Sequence, residues 1–150
     1  MTDIKSAESR SKNMAAIRST DTSPEIYIRR LLFSKGYRYR KNVSYVTGHP
    51  DLFLRKFNTA VFIHGCFWHH HKDCKYAYMP KSHTEYWQKK FDRNIARDAE
   101  VQAELEEQRI RCLVIWECTV KAMMKDKTVE TSVVDEVEDY LQWGGEYLEL

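Results

Sequence analysis

Residues 51–65, DLFLRKFNTAVFIHG, contain two short apolar runs on either side of the tetrad RKFN. The runs, DLFL at 51–54 and TAVFIHG at 59–65, have the length and composition of buried strands, and the tetrad suits a turn. The stretch therefore predicts a hairpin of two central strands, around which the remaining elements are expected to pack.

A helix is predicted before the hairpin, within DTSPEIYIRRLLFSKG at residues 21–36. Thr22 can cap the first turn with Glu25 three residues later, Pro24 suits that turn, and Gly36 suits the end of the helix. The apolar face of this helix is expected to comprise Ile28, Leu31 and Leu32.

Three further elements are predicted after the hairpin. Residues 82–108 have the pattern of a long amphipathic helix, with Ser82 and Glu85 at the spacing of a capping box. Residues 109–118 resemble a buried strand, and residues 128–143 a second amphipathic helix. The inner face of the long helix would hold Trp87, Phe91, Ile95 and Leu105. This alternation predicts an α/β fold in which helices flank a mixed β-sheet.

The composition favours one domain without a membrane anchor. A chain of 150 residues with 43% hydrophobic residues can bury one core. No apolar run approaches the roughly 18 residues that span a bilayer, and the start MTDIKSAESRSKN has no apolar signal segment. Among the four cysteines, Cys112 lies inside a predicted strand, which disfavours a disulfide scaffold. We expect a cytoplasmic protein with reduced thiols and no membrane partner.

The net charge of +2 conceals a gradient along the chain. Residues 1–50 contain ten Lys and Arg against four Asp and Glu, residues 51–99 nine against five, and residues 100–150 five against thirteen. Positive charge interleaved with aromatic residues over the first two thirds is typical of a protein that binds nucleic acid. The alternative is a solvated surface with uneven charge.

Four potential zinc ligands have a suggestive spacing. Cys66, His71 and Cys74 lie within nine residues, and Cys118 follows at the end of the last predicted strand. Zinc takes four N or S donors in a tetrahedron, often a short-spaced cluster and one ligand from elsewhere. The set predicts a structural zinc site, because four protein ligands leave no position for a substrate water. The alternative is ordinary buried thiols beside a polar loop.

Three successive histidines, residues 69–71, cannot all face one way. In an extended loop the side chains alternate, so His69 and His71 share one side and His70 faces the other. A metal-bound His71 would leave His69 nearby and available for another role.

Several motifs together resemble one known family. RSKNMAAIRSTDTSPE, GHPDLFL, VFIHGCFWHHHKDCKYAYMPKSHTEYW and VIWEC occur in the order and spacing of the very-short-patch-repair (Vsr) DNA mismatch endonucleases. The resemblance covers about residues 9–118. It implies a restriction-endonuclease-like fold and Mg²⁺-dependent nicking of one strand of double-stranded DNA beside a T:G mismatch.

The resemblance also implies a magnesium site. A Pro-Asp pair at a strand start supplies one metal-binding carboxylate in nucleases of this fold, and Pro50 and Asp51 match it. Where a second acid is usual this chain has Ile63, and the family is similar in relying on a main-chain carbonyl there. Mg²⁺ is therefore expected on Asp51 and the Ile63 carbonyl, with waters and phosphate completing its shell. The alternative for Asp51 is a turn residue.

His69 is the candidate general base, because a neutral imidazole near pH 7 can take a proton from the attacking water. His64 could orient a water or contact the scissile phosphate, and the alternative is a histidine satisfied within the core. Glu25 matches a functional position of the family, and its alternative role is in the Thr22 capping box.

Adjacent aromatic residues predict a wedge that enters the duplex. In an extended segment Phe67 and Trp68 cannot both point inward, and an exposed ring beside a catalytic histidine can insert where pairing is weak. The resemblance implies that Phe67, Trp68 and Trp87 enter from the major groove, and that the arm around Met14 enters from the opposite side. For Trp87, packing on the core is the alternative.

We expect a single endonuclease domain over residues 1–150, with a DNA-binding arm at residues 1–20 and an acidic C-terminal helix at residues 125–150. A single-strand nick needs one active site, so a monomer is expected. The resemblance implies that it works at the nucleoid of a prokaryotic cell. The competing hypothesis is a zinc-stabilised DNA-binding protein without catalysis, which would not need Asp51 or His69.

Overall fold

A five-stranded mixed sheet forms the centre of the structure, a computed structural model that describes residues 21–150. Its strands are β1 (Arg40–Lys41), β2 (Leu52–Leu54), β3 (Thr59–His64), β4 (Arg111–Trp116) and β5 (Tyr147–Glu149). They lie side by side in chain order. The pairs β1–β2 and β2–β3 are antiparallel, whereas β3–β4 and β4–β5 are parallel. The predicted arm and its Met14 lie outside the described residues.

Within residues 21–150, four helices cover both faces of the sheet. They are α1 (Ser23–Ser34), α2 (Thr84–Glu107), α3 (Glu117–Lys125) and α4 (Lys127–Trp143). Alternate residues of β3 serve two cores, since Val61 and Ile63 pack with α1, α3 and α4, while Ala60 and Phe62 pack on the side of α2. The predicted α/β architecture, a mixed sheet flanked by helices, is confirmed.

The predicted central hairpin is confirmed with slightly shorter strands. Leu52 pairs with Val61, and Leu54 pairs with Thr59. The tetrad RKFN forms a single 3₁₀ turn that ends at Asn58, whose φ of 49° lies in the left-handed region that asparagine tolerates. All three residues of β2 are buried, and so are the first five of β3, which explains why the two runs are almost wholly apolar.

The first predicted helix is α1, and Thr22 caps it as expected by accepting the Glu25 N–H at 3.4 Å. The reciprocal half of the capping box is wrong in detail. The Glu25 carboxylate accepts the N–H of Asp21 at 2.8 Å instead of that of Thr22.

The long predicted helix is α2, which begins at Thr84. The proposed Ser82 capping box is wrong, because the N-cap is His83 in a left-handed conformation, φ 57°, without a side-chain cap hydrogen bond. Phe91 and Leu105 are buried as predicted, but Ile95 is 46% exposed. Ile95 lines an open cleft, which is why its apolar side chain does not join the core.

The C-terminal third differs most from the prediction. The strand β4 ends at Trp116, so that Cys118 lies in the first turn of α3 and not at the end of a strand. The expected acidic helix at residues 125–150 ends at Trp143, and β5 follows it and pairs in parallel with β4. Within residues 21–150, no helix has both the length and the apolar character that crossing a membrane requires.

Candidate active site and metal centre

A cleft of about 1350 Å³ runs between α2 and the sheet and reaches the loop after β3. The C-terminal end of β3 and the loop of residues 65–83 form one side of it, and polar residues of α2 form the other. Among the residues predicted from the sequence, those that line this cleft include Glu25, Asp51, His64, Phe67, Trp68 and His69. The predicted catalytic residues therefore share one open site with Phe67 and Trp68, whereas Trp87 does not line the cleft and contacts it through the Phe67 and Trp68 rings.

A tight turn delivers Asp51 to this cleft. Gly48 has a φ of +84°, and a Cβ atom there would lie 2.5 Å from the Val101 side chain on α2, so only glycine fits. His49 follows with a φ of 50°, and Pro50 is buried at the entry to β2. The chain thus turns close against α2, immediately before the Asp51 carboxylate.

The hairpin partner fixes the Asp51 carboxylate. The Ile63 N–H donates to Asp51 Oδ2 at 2.7 Å, which holds the side chain beside the end of β3. Burial raises the pKa of Asp51 to about 6 against the lowering effect of this hydrogen bond, and the nearby Glu25 carboxylate raises it further. Asp51 is therefore a shielded carboxylate with a second negative charge nearby.

Glu25 belongs both to the start of α1 and to the lining of the cleft. Its side chain is only 5% exposed, it lies in the first turn of α1, and it accepts the Asp21 N–H. It also lines the cleft near Asp51. Asp21 in turn pairs with Arg29 at 2.7 Å, so the start of α1 is fixed by several polar contacts.

Two histidines and one aspartate that was not predicted form a second polar group in the cleft. The rings of His64 and His69 stack with centroids 3.9 Å apart and an interplanar angle of 4°. His69 Nδ1 donates to Asp98 Oδ2 of α2 at 2.7 Å. Burial, with a contribution from His69, lowers the pKa of His64 to about 3, which keeps its ring neutral near pH 7. The ligand atoms of these three side chains lie within 4.8 Å of one another.

Asp98 was not predicted from the sequence. It lies 29 residues after His69 on a helix rich in charged residues, so nothing in the local pattern distinguishes it. The register of α2 against the sheet makes the contact, and that register follows from the buried Phe91 and Leu105. Asn94 was missed for the same reason, although its side-chain amide donates to the Trp68 carbonyl at 2.6 Å.

The four predicted zinc ligands converge next to these histidines, since His69 and His71 contact the same Trp116 ring. The ligand atoms of Cys66, His71, Cys74 and Cys118 all lie within 4.8 Å of one another. His71 Nδ1 is 3.7 Å from Cys66 Sγ and 3.5 Å from Cys118 Sγ. Tetrahedral zinc with bonds of about 2.0 to 2.3 Å separates its ligand atoms by roughly 3.3 to 3.8 Å. The cluster can therefore hold a metal ion with little rearrangement.

Packing around the cluster explains its geometry. The His71 ring stacks on Trp116 with centroids 3.9 Å apart, and the Cys118 N–H donates to Cys66 Sγ at 3.3 Å. Burial raises the pKa of the Cys66 thiol to about 12. A bound cation would favour the thiolate form and offset that burial.

The three histidines face as predicted, although their segment is not extended. Backbone hydrogen bonds from His69 to Gly65 and from His70 to Phe67 make residues 65–70 a series of turns. His69 and His71 both lie against Trp116, whereas His70 stacks on Phe91 at 4.3 Å. From the sequence, Phe67 and Trp68 were not expected to point inward together. Both rings are half-buried instead, and their centroids lie 5.2 Å apart.

The chain is similar in sequence to one protein family and to several individual proteins. The family described as DNA mismatch endonuclease Vsr matches residues 2–76. The chain is 45% identical over 121 residues to the type II nicking enzyme V.NmeAIP of Neisseria meningitidis, which covers 81% of this chain and 86% of that protein. It is 33% identical over 141 residues to the DNA mismatch endonuclease Vsr of Escherichia coli, covering 94% and 88%. The type II nicking enzyme V.XorIIP of Xanthomonas oryzae is 41% identical over 118 residues, covering 79% and 86%.

Proposed function

Because this chain belongs to the Vsr family of DNA mismatch endonucleases, we propose that it nicks one strand of duplex DNA beside a T:G mismatch in a reaction that depends on Mg²⁺. At the level of the family it is a DNA mismatch endonuclease, and two of its relatives are named as nicking enzymes. The observation that carries the finer proposal is the meeting of Asp51 and a His69–Asp98 pair in a cleft lined by aromatic rings.

The donor set near Asp51 fits a magnesium ion. Burial raises the pKa of Asp51, and the nearby carboxylate of buried Glu25 adds to the rise. A divalent cation would offset both the burial and the repulsion between the two carboxylates. We assign Mg²⁺ to Asp51 and the backbone carbonyl of Ile63, where it would neutralise charge on the scissile phosphate and lower the pKa of a bound water. The Ile63 N–H meanwhile holds the carboxylate in place.

We propose His69 as the general base. Because its Nδ1–H donates to Asp98, Nε2 carries the lone pair that can accept a proton from the attacking water. Asp98 is the positioning residue, since it fixes the tautomer and the ring orientation and stabilises the imidazolium that forms. His64 supports the ring face of His69, and its neutral state lets it bond to a phosphate oxygen or water without adding charge.

We propose that zinc occupies the cluster of Cys66, His71, Cys74 and Cys118. Its role would be structural, because four protein ligands fill a tetrahedral shell. Three of the ligands belong to the loop of residues 65–83, and Cys118 belongs to α3. The ion would thus connect the loop that carries His69 to the helix that follows β4.

The surroundings of the cleft support duplex DNA as the substrate. Cations that line it are Lys72, Lys90 and Arg97, which can neutralise phosphates and release counterions. The rings of Phe67, Trp68 and Trp87 contact one another, and Phe67 and Trp68 line the cleft with His69. This arrangement supports insertion at a weakly paired step. We further propose that Met14 and its arm approach from the opposite side of the duplex, within a single endonuclease domain of restriction-endonuclease type that acts as a monomer at the nucleoid.

Metal dependence and strand choice test this function together. A T:G duplex labelled on each strand in turn should show one shortened strand with Mg²⁺ and none with EDTA. Cleavage of both strands, or cleavage that persists in EDTA, would be incompatible with a Mg²⁺-dependent nicking enzyme.

Trp68→Ala is expected to weaken binding to T:G duplex by about 1 to 3 kcal/mol, the usual loss when an aromatic ring that stacks on a base is removed. Binding to matched duplex should change far less, because backbone charge carries most of it. Fluorescence anisotropy on both duplexes measures the difference. Equal losses on both, with unchanged zinc content and melting temperature, would return Trp68 to a packing role.

A further inference from the structure

The cleft residues Phe67 and Trp68 belong to a layered cluster of aromatic rings. Phe91 is at its base, with 0% of its surface exposed. The Phe67 ring packs in the middle, with its centroid 5.1 to 5.3 Å from the rings of Trp68, Tyr78, Trp87 and Phe91. Phe67 therefore joins the buried base of the cluster to the rings that lie further out.

Two tyrosines form the outer layer of this cluster. Tyr78 is 62% exposed and lies 5.1 Å from Phe67, and Tyr86 is 52% exposed and lies 5.2 Å from Trp87. A single exposed aromatic residue on a protein surface needs no explanation. These two differ because each continues a stack of rings that begins in the core.

The chemistry of the outer layer suits DNA. Neither the Tyr78 hydroxyl nor the Tyr86 hydroxyl is hydrogen-bonded to another side chain or backbone group in the part of the chain from Asp21 to Leu150. Each residue thus offers a ring face for stacking and an unused O–H for a base edge or a phosphate oxygen. The sequence also places exposed lysines nearby, since Lys81 lies three residues after Tyr78 and Lys89 three residues after Tyr86 on α2.

We propose that Tyr78 and Tyr86 form the DNA-contacting rim of the wedge and contribute to its discrimination between mismatched and matched duplex. The inference rests on the proposed function and extends it to two residues outside the expected set of Phe67, Trp68 and Trp87. The ring would stack on a base or sugar exposed at the opened step, and the hydroxyl would hold the neighbouring strand. Because a matched step stays stacked, it would offer these rings no comparable surface.

Ring and hydroxyl can be tested separately. Tyr78→Leu and Tyr86→Leu remove the ring but keep an apolar side chain, whereas Tyr78→Phe and Tyr86→Phe remove only the hydroxyl. Each leucine variant is expected to weaken binding to T:G duplex about fivefold or more, with binding to the matched T:A duplex within about twofold of the original protein. The phenylalanine variants should retain most of the discrimination.

Trp143→Leu is the matched control. Trp143 is 85% exposed and ends α4, close to the start of β4, where Arg111 donates to the carbonyls of Leu141 and Gly145. The cleft residues Asp51 and His64 lie at the other end of the neighbouring strand β3. Loss of this exposed ring should therefore leave both affinities unchanged.

Comparison with Trp68→Ala separates this inference from the function on which it rests. If Trp68→Ala lowers T:G affinity and both leucine variants bind T:G duplex like the original protein, Tyr78 and Tyr86 do not form the rim. Insertion of Trp68 would then still be supported. If none of the three affects discrimination, the wedge itself fails. Equal losses of affinity for T:G and T:A duplexes in the leucine variants would also overturn the proposed role of Tyr78 and Tyr86. Unchanged zinc content in these variants would show that the loop remained folded.

Discussion

His69→Ala and Asp51→Ala are each expected to reduce nicking of a T:G duplex by about 100- to 10,000-fold, the range that removal of a general base commonly produces. The His69→Ala variant would lack the proposed proton acceptor, whose ring Asp98 orients. The Asp51→Ala variant would lack the carboxylate on which Mg²⁺ is proposed to bind. Neither side chain is assigned to the grip on DNA. Affinity for the mismatch, measured in Ca²⁺ or EDTA, should therefore stay within about threefold, because phosphate contacts carry most of the binding.

Ile63→Val is the matched control for this pair. The side chain of Ile63 packs into the core, while its backbone N–H donates to Asp51 and its carbonyl is assigned to the metal. The valine variant should lose about 1 kcal/mol of stability and keep nearly full activity. A folded His69→Ala variant with wild-type nicking would remove the general base from the mechanism, and a large activity loss in folded Ile63→Val would remove the hairpin as the metal platform.

Cys118→Ser is expected to lower zinc content and thermal stability together. The loop of residues 65–83 has no helix or strand and few aliphatic residues, so the ion proposed to join it to α3 would stabilise its conformation. Loss of at least about 3 kcal/mol of zinc-dependent stability would lower Tm by about 6 to 12 °C for a domain of this size. Elemental analysis and calorimetry on protein purified without chelator measure both quantities.

Cys112→Ser provides the comparison for the zinc cluster. Cys112 is also a buried thiol, but it lies on β4 and outside the cluster. Its substitution should leave the zinc content unchanged and lower Tm modestly, since a hydroxyl replaces a buried thiol. Absence of zinc from the unsubstituted protein would contradict the proposed structural metal altogether.

The parts of the fold that were predictable are those whose signal is local. The hairpin strands are short apolar runs buried on both faces, and the capped start of α1 depends on neighbours within four residues. The convergence of Cys66, His71 and Cys74 with Cys118 was also predictable, because thiol and imidazole groups at short spacing are uncommon except around metals.

The parts that were missed depend on contacts between distant segments. Asp98 reaches His69 only because α2 packs on the sheet in one register. The strand β5 has three residues, of which Tyr147 and Glu149 are exposed, so it lacks a run of apolar residues. Parallel pairing with β4 makes it a strand, and pairing of this kind leaves little trace in a short sequence.

The loop of residues 65–83 shows a third kind of limit. Alternation along an extended chain correctly separated His70 from His69 and His71, but the segment is a series of turns. The same assumption predicted that Phe67 and Trp68 point to opposite sides, whereas both rings are half-buried and contact each other. Turns bring successive side chains into contact, so the exposure of an individual ring depends on packing that alternation does not describe.

The rate of nicking across a panel of duplexes of one sequence decides whether this protein is a mismatch-directed nicking enzyme. Each duplex would carry T:G, another mismatch or a matched T:A pair at the same step, and would be incubated in Mg²⁺ with one strand end-labelled. We expect a single nick beside the mismatch, fastest on T:G and absent on T:A. Binding to T:G without any nick in Mg²⁺, or equal nicking of T:G and T:A duplexes, would contradict it.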